Sequence, residues 1–161
     1  MFKIIKYPDP FLRRTAKTVT DFNDDLKKAV LEMAEVMYQD DGIGLAAPQV
    51  GISQRFLLVG KAGSNQDYEV YINPEITFFS KNKELGEEGC LSLPQIFGLV
   101  RRAKKIHVKY QDLNGQVHKV KLSGLDAIVL QHELDHLDGI LFIDRAEQIT
   151  KGQDILDSLK Q

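Results

Sequence analysis

Gly124-Leu125-Asp126-Ala127-Ile128-Val129-Leu130-Gln131-His132-Glu133-Leu134-Asp135-His136-Leu137-Asp138-Gly139 is the stretch on which the reading of this chain turns. Ser123 before it suits a helix N-cap, Asp126 suits the first turn, and Gly139 is a stop signal, so the pattern predicts a helix from Gly124 to Asp138. Leu125, Ile128 and Val129 mark that helix as a buried element. His132 and His136 stand at i and i+4, on one face and one turn apart, where two imidazoles reach the same metal ion. Glu133 points to an adjoining side, within reach of a water held by that ion.

Two imidazoles are too few for a tight site, so a third donor is needed. His107 and His118 are candidates, but they stand in alternating, strand-like segments among exposed-looking neighbours. Cys90 is the stronger candidate. It is the single cysteine, so it cannot form an internal disulfide. It lies in Glu87-Glu88-Gly89-Cys90-Leu91-Ser92-Leu93-Pro94, where Gly89 permits close backbone approach. Its thiolate is a strong ligand for a borderline metal. Three protein ligands leave a position open for water, the arrangement of a catalytic rather than a structural ion. A third stretch, Gly42-Ile43-Gly44-Leu45-Ala46-Ala47-Pro48-Gln49-Val50-Gly51, reads as a loop of small residues that lets a ligand's backbone come near. Gln49 in it offers a side-chain N–H to a developing oxyanion. It is no phosphate loop, because the required Lys is missing.

Around these stretches the elements follow from periodicity. Leu26, Val30, Met33 and Met37 form one apolar stripe, which predicts a helix from Asn23 to Tyr38 with Asp24 and Asp25 in its first turn. Gln54 to Gly60 and Tyr68 to Ser80 read as strands, joined by a polar connection from Lys61 to Asp67, with Asn73-Pro74 marking a bend or an edge position. Ile106, Val108 and Tyr110 alternate with polar residues, as do Val120 and Leu122 beyond Asn114-Gly115. A two-residue turn would mix the faces of that hairpin. A three-residue loop at Leu113-Asn114-Gly115 instead pairs Val108 with Val120 and Ile106 with Leu122, with Gly115 in the left-handed position. A short last helix is expected from Lys151 to Leu159, packing Ile155, Leu156 and Leu159. The order helix, strands, helix makes the class α+β with mostly antiparallel sheet.

At 161 residues the chain suits one domain, 1–161, with a single core. A net charge of -2 gives no reason to expect nucleic acid or an anionic membrane as the main partner. No apolar run approaches the ~20 residues of a membrane-spanning helix. The start, Met1-Phe2-Lys3-Ile4-Ile5-Lys6, is too quickly interrupted to be a secretory leader, so the expected location is the cytoplasm.

Taken together, the three stretches resemble the peptide deformylase family. Its motifs Gly-x-Gly-Leu-Ala-Ala-x-Gln, Glu-Gly-Cys-Leu-Ser and Gln-His-Glu-x-Asp-His match Gly42 to Gln49, Glu88 to Ser92 and Gln131 to His136, in the family's order. Pro8-Asp9-Pro10 with Leu12-Arg13 is also similar. The resemblance implies mostly antiparallel sheets packed around a central metal-binding helix, with an N-terminal helix and the short C-terminal helix of the bacterial branch. It implies that Cys90, His132 and His136 hold one divalent ion, usually Fe²⁺, with Zn²⁺, Ni²⁺ or Co²⁺ able to take its place. The implied reaction removes the formyl group from N-formylmethionyl nascent peptides and releases formate. Glu133 would move the proton, and Gln49 with the backbone N–H of Leu91 would stabilise the oxyanion.

The peptide is expected to lie extended along Gly44 and Gly89. Ile43, Leu125, Ile128 and Val129 are the expected walls of an apolar pocket for the Met side chain. Glu88 completes the expected substrate-contacting set, and Arg102 is expected to pair with it and brace the cysteine loop. The implied setting is a monomer near the ribosome exit, without DNA or membrane. Gly86 and Phe97 depart from the family pattern, which commonly has a branched apolar residue and an Arg there; these positions bear on substrate preference. Three alternatives stay open. A different His-Glu-x-x-His hydrolase takes its third ligand downstream, where no His or Cys follows His136 and Glu147 is the remaining acidic candidate. A thiol hydrolase would use Cys90 as nucleophile. An inactive relative would bind metal or peptide without needing Glu133 or Gln49.

Overall fold

A computed structural model of the chain describes residues 1–61, 63–64 and 66–160. In chain order the elements are α1 (Asp24–Gln39), β1 (Gly44–Ala46), β2 (Phe56–Gly60), β3 (Tyr68–Phe79), β4 (Lys83–Cys90), β5 (Leu93–Ala103), β6 (Lys105–Gln111), β7 (Val117–Ser123), α2 (Gly124–Leu137), α3 (Phe142–Arg145), β8 (Gln148–Lys151) and α4 (Gln153–Leu159). The class is α+β, as the order of elements predicts. Strands β1-β2-β3-β6-β7 form one antiparallel sheet and β4-β5-β8 a second.

Helix α1 begins where the stripe requires. Asn23 caps it, its Oδ1 accepting from the Leu26 N–H at 3.0 Å, and Leu26, Val30, Met33 and Met37 are all buried. They pack on one face of the five-stranded sheet, against Leu45, Phe56, Leu58 and Ile72. The opposite face, with Leu57, Val59, Ile106 and Val108, packs against Ala127, Leu130 and Leu137 of α2. Strand β2 is therefore covered on both sides, which is why its sequence is a continuous apolar run instead of an alternating one. The β6–β7 hairpin has the expected register, Val108 opposite Val120 and Ile106 opposite Leu122, and Gly115 has φ 81°.

Helix α2 is central. Its apolar side covers the larger sheet, while Gln131, His132, Asp135 and His136 are buried toward β4 and β5. Gln131 fixes the angle between them. Its Oε1 accepts from the Ala103 N–H at 3.1 Å, and its Nε2 donates to the Ala103 carbonyl at 2.9 Å. Gly139 ends the unit with φ 73°, and a Cβ there would sit 2.4 Å from the Arg13 carbonyl oxygen. Ser123 occupies the N-cap position in extended backbone, but its hydroxyl makes no capping bond.

Three expectations are corrected, and one hairpin has no counterpart among them. The stretch at Gly42 to Gly51 is not all loop: Gly44–Ala46 pairs with β2, and Ala47–Val50 is a 3-10 turn. The strand expected from Gln54 starts at Phe56, because Gln54 bridges to Lys17 instead. The last helix starts at Gln153, since Gln148–Lys151 first pairs with β5 as β8. The β4–β5 hairpin was not legible, because Lys83, Glu84, Glu87 and Glu88 give β4 no apolar alternation. Of the connection expected from Lys61 to Asp67, Ala62 and Asn65 lie outside the described residues. Among the described residues, no helix is long and apolar enough to cross a membrane.

Candidate metal centre

Strand β4 ends at Cys90, and the turn through Leu91 and Ser92 sets Leu93 opposite it. That turn carries the thiol to the polar side of α2, with Sγ 3.3 Å from His136 Nε2. One donor atom from each of Cys90, His132 and His136 lies within 4.8 Å of the others. The rival third donors lie elsewhere. His107 packs against Phe78, ring centroids 4.6 Å apart and planes tilted by 34°. His118 pairs with Asp112 at 2.7 Å, and Glu147 with Arg101 at 2.9 Å.

The ring of His132 is held from behind. Its Nδ1 lies 2.8 Å from Glu88 Oε1. An ionised carboxylate can only accept, so Nδ1 carries a proton. Burial works against charge on this ring, but Glu133, Cys90 and Glu88 outweigh it and hold its pKa well above the ordinary range, so an ion at Nε2 takes the place of a second proton there. Arg102 donates to both Glu88 oxygens at 2.9 Å and to Asp135 Oδ2 at 2.7 Å, which bears out the expected Arg102–Glu88 pair. Arg145 of α3 reaches the same Asp135 oxygen at 2.7 Å. Burial works to raise the Glu88 carboxyl, but hydrogen bonds from Arg102 and His132 outweigh it and hold the group at about 2. Glu88 therefore lines the cleft with its carboxylate already committed. For His136, burial is the main influence, with the charges of His132 and Arg102 adding to it. Together they lower its pKa well below the ordinary range, so the imidazole is neutral, the form that ligates.

Glu133 Oε2 lies 4.0 Å from His132 Nε2. Its Oε1 is buried without a hydrogen-bond partner. Burial pushes this carboxyl up to about 7, against the pull of His132. A soft thiolate and two imidazoles within one ion's reach, beside an unpartnered buried oxygen, fit a divalent transition metal with room left for water. Gln49 is aimed at the same place. Its Oε1 accepts from the Ala46 N–H at 2.9 Å, which turns Nε2 toward Cys90 Sγ at 3.6 Å and Ser92 Oγ at 3.2 Å.

A cleft of about 650 Å³ opens over this cluster. Ile43 and Gly44 line one side, Glu88, Gly89, Cys90 and Leu91 the other, and Leu125, Ile128 and Val129 the apolar end. The expected site residues line this one space, except His136, which is buried behind it and joins the cluster through Cys90 Sγ. Val129 is buried, but Leu125 is 51% exposed, so that apolar end is open rather than filled. Phe97 also lines the cleft, its ring under Gly89 where a Cβ would lie 2.6 Å away. A side chain at Gly86 would meet nothing within 4 Å.

Gly44 admits no substituent. A Cβ there would fall 2.7 Å from both Glu133 Oε2 and Val129 Cγ1. Gly44→Ala is expected to displace Glu133, lowering kcat/KM at least ~10-fold and stability by ~1–3 kcal/mol, the usual penalty of overpacking. Steady-state rates and a thermal melt check both.

Sequence reasoning gave no role to Ser92 or Asp135, although both lie inside the recognised motifs. It also missed Lys6, whose Nζ donates to the Leu91 carbonyl at 3.0 Å. No local pattern marks Lys6, because it meets the cysteine turn only in the folded chain.

The family model described as Polypeptide deformylase matches residues 1–152. The peptide deformylase of Thermotoga maritima is 49% identical over 145 residues, covering 90% of this chain and 87% of its own. Its crystal structure superimposes with a TM-score of 0.87, covering 91% of this chain and 98% of that one. A peptide deformylase from Plasmodium falciparum has a TM-score of 0.90 at 42% identity, covering 98% and 93%. The chloroplastic peptide deformylase 1B of rice is 45% identical over 99% of this chain and 58% of its own.

Proposed function

The chain belongs to the peptide deformylase family, metal-dependent hydrolases that act on formylated nascent peptides, and on that premise we propose which of its residues perform the reaction. Cys90, His132 and His136 hold the ion. The observation that carries this reading is their mutual approach within 4.8 Å beside the unpartnered Glu133 oxygen. The ion, when bound, supplies Lewis acidity and an activated water. Glu133 accepts a proton at its free Oε1 and delivers it to the departing amine nitrogen. Gln49 Nε2 and the Leu91 N–H donate hydrogen bonds to the formyl oxygen as charge develops on it. Glu88 fixes the His132 tautomer.

The peptide lies extended between Gly44 and Gly89, its backbone pairing with theirs, so residues after the first are loosely selected. Ile43, Leu125, Ile128 and Val129 receive the methionine side chain. The ion is Fe²⁺ in this reading; the donor set also suits Zn²⁺, Ni²⁺ and Co²⁺, and supply decides. Residues 1–161 act as one catalytic domain, a monomer in the cytoplasm near the ribosome exit, where its substrate is made.

Formate release from formyl-Met-Ala-Ser by anaerobically purified protein tests the reading, with metal analysis of the same sample. The expected result is turnover that a chelator abolishes and Fe²⁺ restores. Turnover that survives the chelator would make Cys90 the nucleophile. A metal-loaded protein without turnover would be an inactive relative. Anaerobic handling matters because a thiolate beside iron oxidises readily.

A further inference from the structure

The larger sheet extends beyond the helix that covers it. Helix α1 packs on β1, β2 and β3, and the same face of β6 and β7 is left bare. There the alternation that buries Ile106, Val108 and Tyr110 turns Lys105, His107 and Lys109 outward. Strand β7 sets Lys119 opposite Lys109 and Lys121 opposite His107. Like charges placed directly across a strand pair are destabilising. Glu75 of β3 is the register neighbour of Lys109, yet among the described residues Lys61 is the one lysine in an ion pair. The fold thus gathers four exposed lysines on one face, with Glu75 the acidic residue in register beside them. Beside the row, Phe78 is 47% exposed and packs against His107, centroids 4.6 Å apart and planes tilted by 34°.

Cations in a row beside an exposed ring match the needs of one polymer. Single-stranded RNA is held by basic side chains along its phosphates and by bases stacked on aromatic faces. We propose that this face of β6 and β7 binds single-stranded RNA, with Lys105, Lys109, Lys119 and Lys121 on phosphates and Phe78 with His107 as the stacking platform. The net charge of -2 argues against nucleic acid as the main partner, and the local clustering supports it as a secondary one. The face lies on the opposite side of the sheet from α2, so RNA and peptide can be bound together. The biological setting rests on the proposed function, since a nascent peptide emerges from a particle built largely of RNA.

The test is fluorescence anisotropy of a labelled 20-nucleotide RNA with the full chain, from 50 to 200 mM salt. Salt-sensitive binding with Kd on the order of 10⁻⁵ M at the low end is expected. Lys109→Gln with Lys119→Gln should weaken it at least ~10-fold and reduce the salt slope by about 1.4, two single-strand phosphate contacts. Phe78→Ala should weaken it ~5-fold or more, by loss of stacking. The lysine variant should melt no lower than the parent, because a like-charge contact is removed. Its formate release from formyl-Met-Ala-Ser should be unchanged, so failure of the enzymatic reading is scored separately. Absence of RNA binding at 50 mM salt would overturn the proposal, as would binding indifferent to both variants. Binding to phosphatidylglycerol vesicles without binding to RNA would assign the face to a membrane instead.

Discussion

Glu133→Ala is expected to abolish formate release while the ion stays bound. Glu133 is buried, and one of its oxygens has no partner, so nothing in the fold depends on that atom. It is not among the three donors that converge within 4.8 Å. A buried carboxyl near about 7 exchanges protons readily at neutral pH, which suits a group that takes and returns one; a cation in the site would lower that value. Removing general acid–base catalysis costs roughly 10²–10⁴ in rate, and the expected fall in kcat is ~10³. Metal content measured on the same preparation should match the parent, and the melt should not fall. Residual activity near that of the parent would refute the proton-transfer role. Loss of metal together with activity would instead make Glu133 part of the ion's support.

The second large effect is on stability. Arg102→Ala leaves Glu88 and Asp135 buried without the cation that both hold. Asp135 keeps Arg145 and Glu88 keeps His132, so the loss is expected at the lower end, ~3 kcal/mol, of the cost of breaking one side of a buried ionic network. The bond from His132 Nδ1 to Glu88 then loses its fixed acceptor, and loss of such outer support commonly weakens metal binding 10–100-fold. Chelator competition and a thermal melt read the two effects separately. Arg102→Lys should rescue little, because one ammonium cannot bridge both Glu88 oxygens and Asp135 at once. Undiminished metal affinity in Arg102→Ala would end the bracing argument.

Acid should act through the same residue. Glu88 sits at about 2 folded, against an ordinary 4.5. A depressed carboxyl contributes its full stability above the ordinary value and loses it as pH falls toward the folded one. The parent should therefore weaken between pH 4.5 and about 2, and Arg102→Ala should show less of that change.

Much of this was legible before folding, because it is local. The 3.6-residue period gave α1 its stripe and set His132 and His136 on one face, and Asn23 marked where α1 begins. The two-residue period, with Gly115, chose the β6–β7 register over its one-residue slip. Cys90 was favoured on chemistry alone, with His107 and His118 still in contention. Their exclusion needed the fold, which packs one against Phe78 and pairs the other with Asp112.

Tertiary structure alone decided the β4–β5 hairpin, the meeting of Arg102 with Asp135, and the approach of Lys6 to the cysteine turn. It also showed that Gln49 is oriented by the Ala46 N–H, and that the lysines of β6 and β7 share a face that α1 does not cover. Periodicity records which side of an element is apolar. It carries no information about which polar groups, distant in the chain, will be buried against one another, since that depends on how the elements pack.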